Sequence, residues 1–173
     1  MNLFYLETSP QGAAQALCDK HIPKMTLETA QMLSSACWAV LSPPNHSVLP
    51  YIYKPAYWNH PSTAWVRSGV GQYVWTYGLF QALCKEFLHR GFKNGEPHAS
   101  SKLLHALGHF DVLTALPSTV FDAPPQCMPE QYQQNDTLQA YRDYYLGDKM
   151  RFAKWERGRS APDWMCNEYA YAA

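Results

Sequence analysis

Apolar residues recur with the period of an α-helix in several parts of the chain. The first such stretch follows Ser9, a residue type that caps helices, and Pro10, which suits a first helical turn, and it predicts a helix to about Lys20. The second stretch predicts a helix from near Ile22 to just before Ser42. Helical periodicity therefore dominates the first quarter of the chain.

Three further helices are predicted in the remaining sequence. One begins at Pro61, breaks at Gly69 or Gly71, and resumes as far as Arg90, after which Gly91 is placed to end it. The other two begin at paired candidate caps: Ser100 or Ser101 for a helix through Leu107, and Asp136 or Thr137 for a last helix that passes Trp155 and ends at Gly158.

The segments between these helices have no helical period. Residues 3–6 are a short apolar run that suits either one strand or an extended arm. Residues 42–60 are rich in Pro, Tyr and Trp and predict a long ordered loop or a lid. We therefore expect a mainly α fold, a compact single-domain helical bundle over residues 1–173 with long ordered loops, and a basic and aromatic segment from about residue 136 to the end.

Composition narrows the classes of protein to consider. The 14 Lys and Arg balance 14 Asp and Glu, and charged residues make up only 16% of the chain, which excludes a disordered tail and a polybasic protein that binds nucleic acid by bulk charge. Aromatic residues reach 14%, with 12 Tyr and 6 Trp, and such side chains suit a surface that both stacks and hydrogen-bonds.

Cysteines and hydropathy indicate the cellular compartment. Five scattered cysteines without a C-x-x-C pair predict free thiols rather than a disulfide framework. No stretch has the ~20 apolar residues of a membrane span, and the N-terminus lacks the features of a signal peptide. We expect a cytoplasmic protein with no membrane contact; for a phage-encoded protein this is the host cytoplasm.

The densest group of reactive side chains runs from Cys18 to Glu28 and contains Asp19, His21 and Lys24. One interpretation is structural, with Asp19 capping a helix and Glu28 pairing with Lys24 on the helix surface. The other is a buried Glu28 that stabilises a cation or moves a proton.

Two other groups combine aromatic and polar side chains. Residues 58–65 pair a His-Pro helix start with two Trp, which is typical either of a capped helix with core aromatics or of an anion site beside a stacking surface. Residues 142–159 hold six Lys and Arg interleaved with aromatics, which fits a surface helix or a track for a nucleic-acid backbone.

Metal and cofactor sites are not predicted. His105 and His109 are four residues apart and would share a helix face, but no third ligand accompanies them in the sequence. The chain also lacks a Gly-rich phosphate loop and a G-x-S-x-G motif. We expect neither a metal nor an organic cofactor.

Three motifs occur in an order that resembles a known family. Asp19-x-His21 is followed by Glu28, then by Asn59-His60-Pro61-x-x-x-Trp65, and then by a helix that ends in Arg90-Gly91-Phe92. This order resembles the pyrimidine-dimer DNA glycosylase (endonuclease V-like) family over roughly the first 92 residues, and the chain is also similar to a group of phage proteins.

The resemblance implies a helical fold that grips a DNA duplex, flips a base and cuts the N-glycosidic bond with an N-terminal amine and a nearby Glu. Glu28 matches that Glu. Asn2 stands where the family exposes a Thr after removal of Met, and we expect Met1 to be retained because Asn is not a small residue. Leu27 and Gln31 replace two Arg that flank the family's Glu. The nucleophile is then the Met1 amine, or Glu28 activates water.

These observations predict a phage-type N-glycosylase, possessing or lacking lyase activity, that acts on a damaged or modified pyrimidine in DNA. The candidate catalytic residues are Glu28, Met1 and His21. The candidate substrate-binding residues are Asp19, Lys24, Gln31, Trp58, Asn59, His60, Trp65, Arg142, Tyr145, Lys149 and Arg151. The alternatives are an enzyme that processes a free nucleotide or modified base, a non-catalytic nucleotide-binding protein that sequesters a signal, and a structural protein with an exposed aromatic patch. DNA or a nucleotide is the expected partner.

Overall fold

The computed structural model describes residues 1–41 and 46–166, and every regular element within those residues is a helix. The mainly α prediction is confirmed. The α-helices in chain order are α1 (Pro10–Ala16), α2 (His21–Val40), α3 (Pro61–Val66), α4 (Val70–His89), α5 (Leu104–Leu107), α6 (Phe110–Ala115), α7 (Thr137–Tyr144) and α8 (Asp163–Cys166).

The two long helices form the centre of the fold. Helices α1 and α2 both pack against α4, and α3 joins α2 to α4. Met25, Met32 and Leu33 on α2 face a core that also contains Phe80 and Leu83 of α4. Burying side chains of this size stabilises the fold by roughly 1.5–3 kcal/mol each, so this helix pair supplies the platform on which the other segments rest.

Side chains cap the starts of α1, α3, α6 and α7. The predicted caps of α1 and α7 are confirmed, because Ser9 and Asp136 accept hydrogen bonds from the first free backbone N–H groups. The predicted Ser100 or Ser101 cap is wrong. His98 takes that role through Nδ1, while the Ser100 hydroxyl lies 3.0 Å from the Tyr53 hydroxyl and ties the preceding loop to this turn.

Helix α1 ends at Ala16, earlier than the predicted Lys20. The carbonyls of Gln15 and Leu17 accept hydrogen bonds from the Arg90 guanidinium, and the Ala16 carbonyl accepts one from the Trp155 indole. These side chains donate to the free carbonyls of the last turn, so the helix can end here without leaving buried carbonyls unpaired.

The predicted break and end of the third helix are confirmed. Gly69 separates α3 from α4, and Gly91 adopts a left-handed conformation (φ 62°) that ends α4. Two short helices were not predicted: α6 lies in a stretch expected to be irregular, and α8 lies in the tail.

The prediction of one long last helix through Trp155 is wrong. Helix α7 ends at Tyr144, a single π-helical turn covers Tyr145–Lys149, and the chain is irregular from about residue 150 to residue 162. Contacts to the start of α2 hold it in that form: the Lys154 carbonyl accepts from Asp19 N (2.8 Å), and Glu156 N donates to the Asp19 carboxylate (2.7 Å). We call residues 150–159 the C-terminal strap.

The long loop is ordered where it is described. Residues 42–45 lie outside the described residues, and residues 46–60 contain a 3₁₀ turn at Leu49–Tyr51. The Trp38 indole donates to the Tyr53 carbonyl, and Ser35 bonds to both backbone groups of Ala56. The prediction of one domain over residues 1–173 stays a prediction.

The described cysteines agree with the prediction of free thiols. The four described thiols are free, and Cys18, Cys37 and Cys84 are buried. Burial raises the pKa of Cys37 to about 11 and that of Cys84 to about 12, so both are protonated and unreactive. In the described part of the chain, no helix combines the length and hydropathy that crossing a membrane requires.

Candidate active site

The first six residues form an arm that belongs to no strand, and we call residues 1–6 the N-terminal arm. Leu3 and Leu6 are fully buried in the core. The Asn2 side chain donates to the Cys127 carbonyl (2.8 Å) and accepts from Phe4 N (3.0 Å). The arm is therefore fixed along its length.

The arm brings the terminal amine to the predicted catalytic carboxylate. Met1 N lies 4.0 Å from Glu28 Oε2, and Asn2 N donates to the same oxygen at 3.2 Å. Lys24, one turn earlier on α2, places Nζ 3.7 Å from Glu28 Oε1. Only 14% of the Glu28 side chain is exposed, so the structure supports neither predicted interpretation alone: Glu28 is both paired with Lys24 and largely buried beside an amine.

Phe4 adopts a left-handed conformation (φ 46°), which is unusual for a bulky residue. Its ring stacks on the His21 ring with centroids 4.6 Å apart, and its backbone N–H is held by Asn2. Strain of this kind persists where the surroundings enforce it, and it concentrates at functional sites. Here it turns the arm toward α2.

The amine and the carboxylate open into a cleft of about 620 Å³, which we call the Glu28 cleft. Its lining comes from the arm, the start of α2, the Cys127 loop, the π-helical turn and the strap. The lining residues are Met1, Asn2, Phe4, Lys20, His21, Lys24, Glu28, Cys127, Tyr144, Lys149 and Phe152. Another cleft, of about 510 Å³ between α1 and α4, contains none of the predicted catalytic residues.

His21 lies in the wall of the Glu28 cleft in an apolar setting. Its Nδ1 is 2.8 Å from the Tyr145 hydroxyl, which itself accepts from Cys18 N at 2.9 Å. Tyr145 thus engages Nδ1, which leaves Nε2 as the His21 nitrogen for a ligand.

We expect His21 to remain neutral throughout the physiological range. Burial, followed by the positive charges of Lys149, Lys24 and Lys20, lowers its pKa from 6.5 to about 4. Between those values the unfolded chain binds a proton that the folded chain does not, so the free energy of unfolding should fall as the pH drops from about 6.5 to about 4. Titration of the His21 imidazole by NMR tests this, and His21→Asn should remove that part of the pH dependence. A His21 resonance that titrates near pH 6.5 would contradict the assignment.

Three lysines border the Glu28 cleft: Lys20, Lys24 and Lys149. Lys149 is fixed, because Nζ lies 2.8 Å from the Tyr144 hydroxyl and 2.7 Å from Asp148 Oδ2. These hydrogen bonds outweigh desolvation and raise the pKa of Lys149. Three cations at one opening give this small region a positive field although the chain as a whole is neutral.

The start of α3 borders the amine from the other side. His60 caps α3 through Nδ1, and Thr63 Oγ1 donates to the Met1 sulfur at 3.2 Å. Desolvation and the positive Met1 amine lower the pKa of His60, while Glu28 opposes them. The predicted His-Pro helix start therefore lies within electrostatic range of both Met1 and Glu28.

Several predicted site residues are placed outside the Glu28 cleft. They are Asp19, Gln31, Trp58, Asn59, His60, Trp65, Arg142, Tyr145 and Arg151. Trp65 is in the core against Trp75 and Phe121, and its indole nitrogen has no hydrogen-bond partner in residues 1–41 and 46–166. Tyr145 is fully buried and contacts the site only through His21.

Asp19 belongs to a buried ion network instead. Arg90 is completely buried and donates to Asp19 Oδ1 (2.9 Å) and Glu86 Oε2 (3.1 Å). Arg159 of the strap also pairs with Glu86. The network joins α1, α2, α4 and the strap, and the strap in turn carries Phe152 into the wall of the cleft.

The remaining charged and aromatic candidates lie at the surface. Arg142 is engaged by the Leu6 carbonyl and by Glu7. Arg151 and Asn59 are exposed, and Trp58 is 40% exposed with the Arg67 guanidinium stacked 4.4 Å above its ring. Asn59, Trp58 and Arg151 are therefore available to a large ligand rather than to one enclosed in the cleft, whereas Arg142 is already paired.

Six lining residues were not predicted: Asn2, Phe4, Lys20, Cys127, Tyr144 and Phe152. Lys20 and Tyr144 are neighbours of predicted residues, so a wider window around those motifs would have included them. Cys127 carried no signal, because only tertiary contacts bring its loop to Asn2.

The predicted His105 and His109 pair is not formed. Helix α5 ends at Leu107, and His109 is the cap of the next helix, so the two side chains do not share a helix face. His109 instead lies beside His46 and Asp111, the one group of three metal-ligating side chains found among the described residues.

Comparison with known proteins agrees with the sequence motifs. A family model described as pyrimidine dimer DNA glycosylase matches residues 1–100, which is more than half of the chain and includes the arm, Glu28 and the helices α1 to α4. No curated protein and no solved structure matches the chain. On the strength of that match, the chain belongs to the pyrimidine dimer DNA glycosylase family.

Proposed function

We propose that this protein is a DNA N-glycosylase with associated lyase activity that acts on a damaged or modified pyrimidine. The observation that carries the proposal is the Met1 amine 4.0 Å from the Glu28 carboxylate at the edge of an open cleft. A free amine beside a largely buried carboxylate is the pair that glycosidic cleavage by a covalent route requires.

In the first step the Met1 ammonium loses a proton to solvent, and the lone pair of its nitrogen attacks C1′ of the nucleotide. The C1′–N bond to the base breaks, its electron pair leaves with the base, and the base takes up the proton that the nitrogen releases on bonding to C1′. Positive charge develops on the sugar as that bond weakens, and the Glu28 carboxylate stabilises it. His21, neutral at physiological pH, is placed to hydrogen-bond with the departing base.

In the second step the sugar ring opens as the C1′–O4′ bond breaks and O4′ takes up a proton, leaving an imine between C1′ and the Met1 nitrogen. Loss of a proton from C2′ then expels the 3′ phosphate and cuts the strand. Glu28 is the nearest carboxylate to the amine and is our candidate for the proton transfers at this stage.

The charges around the cleft support a nucleic-acid substrate. Lys20, Lys24 and Lys149 at the opening suit the phosphates beside the target nucleotide. The Trp58 ring offers a stacking surface for an unpaired base, and Arg151 extends the positive surface. Because the chain has no net charge, bulk electrostatic attraction does not favour tight binding to every duplex. Cations placed only at the cleft fit recognition of a distorted site in the DNA.

Reductive trapping tests the covalent step. The protein is mixed with ultraviolet-irradiated, undamaged and abasic duplexes in the presence of borohydride, and protein–DNA adducts are counted. We expect an adduct with irradiated and abasic DNA and none with undamaged DNA. A variant with Gly-Ser added before Met1 converts the Met1 amine into an amide, so it should give no adduct although it retains Glu28.

The outcomes separate the candidate functions. Base release without an adduct would indicate that the nucleophile is water activated by Glu28 and not the Met1 amine. An equal adduct yield from the extended variant would exclude Met1 as the nucleophile. Absence of base release and strand cleavage with any duplex, together with a thermal shift on adding a nucleotide, would support the non-catalytic binding protein instead.

A further inference from the structure

Three metal-ligating side chains meet at a position separate from the Glu28 cleft. His46 precedes the 3₁₀ turn of the long loop, His109 caps α6, and Asp111 lies in the first turn of α6. None of the three lines the Glu28 cleft. The group joins two segments that are more than 60 residues apart in sequence, since the His46–Asp111 separation is 65 residues.

The distances suit one small cation. His46 Nε2 lies 2.9 Å and His109 Nδ1 lies 3.5 Å from Asp111 Oδ2, and one ligand atom from each side chain lies within 4.8 Å of the others. Ligands bound tetrahedrally at about 2.0–2.1 Å from a zinc ion are about 3.3 Å apart. The two contacts to Asp111 bracket that spacing.

A second observation concerns the nitrogen that His109 offers. His109 Nδ1 accepts a hydrogen bond from Asp111 N at 3.3 Å, so it carries a lone pair, and it lies 3.5 Å from the Asp111 carboxylate oxygen. An ion that binds at Nδ1 uses this lone pair and displaces the cap hydrogen bond from Asp111 N.

Access to the group is open. The side chains of His46, His109 and Asp111 are 19%, 36% and 52% exposed, so an ion can enter and a water molecule can occupy a remaining coordination position. Two imidazole nitrogens favour zinc over magnesium or calcium, and zinc also binds a carboxylate oxygen.

We propose that His46, His109 and Asp111 form a binding site for a zinc-class divalent ion that links the loop before Leu49 to helix α6. In the metal-free form His46 Nδ1 accepts from Val48 N at 3.3 Å, so the ring proton is on Nε2 and is donated to Asp111. When the ion binds at Nε2, that proton moves to Nδ1 and the long hydrogen bond from Val48 N is given up. The site is structural and does not depend on the function proposed for the Glu28 cleft.

Zinc titration of the chelator-treated protein tests the site. Calorimetry should give one ion per chain, Co²⁺ should give the visible absorption of a low-coordinate site, and saturating Zn²⁺ should raise Tm by roughly 5–10 °C. Asp111→Asn and His46→Ala should each weaken binding at least about tenfold. His105→Ala, which removes an exposed His of α5 outside the group, should bind as the wild type does.

Two results would overturn the proposal. One is the lack of stoichiometric binding by the wild-type protein at micromolar zinc. The other is equal loss of affinity in His105→Ala and His46→Ala, which would indicate nonspecific binding to surface histidines. His46→Ala leaves the His109 cap of α6 intact, so a loss of zinc binding in that variant is not explained by an unfolded helix.

Discussion

Replacing Glu28 by Gln is expected to lower the rate of base release by a factor on the order of 10²–10³ while the protein stays folded. Gln retains an oxygen that accepts from Asn2 N, so the N-terminal arm keeps its anchor. What is lost is the negative charge beside Met1 N, which in the proposed mechanism stabilises the cationic sugar. Single-turnover release of bases from irradiated duplex DNA measures the effect.

Glu130→Gln is the matched control, because Glu130 is an exposed acid in the described part of the chain and lies outside the Glu28 cleft. It removes the same charge and should leave the rate unchanged. Circular dichroism and Tm should agree between both variants and the wild type. A Glu28→Gln protein that is folded and as active as the wild type would remove this carboxylate from the mechanism.

Replacing Arg90 by Met is expected to cost about 3–5 kcal/mol of folding free energy. The guanidinium is wholly buried and donates to Asp19, Glu86 and the carbonyls that end α1. Met fills a similar volume but leaves these acceptors with fewer donors in a buried place, and that desolvation cost dominates. Urea denaturation, analysed for a change in midpoint at constant slope, measures the loss.

Arg157→Met provides the comparison for Arg90. Arg157 is exposed, and its guanidinium lies 4.7 Å from the centroid of the Phe92 ring, so its removal should change stability by less than about 1 kcal/mol. Arg90→Lys keeps the charge but cannot bond to all four acceptors at once, and we expect an intermediate loss. Equal stability of the Arg90→Met and Arg157→Met proteins would show that the buried network contributes nothing to folding.

Local sequence signals located the helices well where those signals were strong. The Ser9-Pro10 start, the Asp136 cap and Gly91 each act through backbone groups only a few residues away, and the structure uses each of them. The last helix was overextended because its aromatic period continues through Trp155. Its end depends on Asp19, more than 130 residues away, which binds the backbone at Lys154 and Glu156.

The candidate site was predictable in part for the same reason. Glu28, His21 and Lys24 lie on successive turns of one helix, so sequence spacing alone groups them. Trp65 was predicted to line the site, but it lies in the core. Helical periodicity shows only that an aromatic residue is on the buried face of its helix, and it does not distinguish a residue that packs from one that binds a ligand. Cys127 and Phe152 reach the cleft through loops, where no periodicity exists to place them.

The docking of the N-terminal arm has a consequence for biosynthesis. Its anchors are the Cys127 carbonyl and Arg142, which binds the Leu6 carbonyl and Glu7, so its resting place is incomplete until most of the polypeptide has been made. The N-terminal arm is therefore expected to be among the last segments to reach its final position. A chain that stops before residue 127 lacks the Cys127 and Arg142 contacts, so we expect Met1 N and Glu28 to be held together firmly only after the later residues have been made and folded.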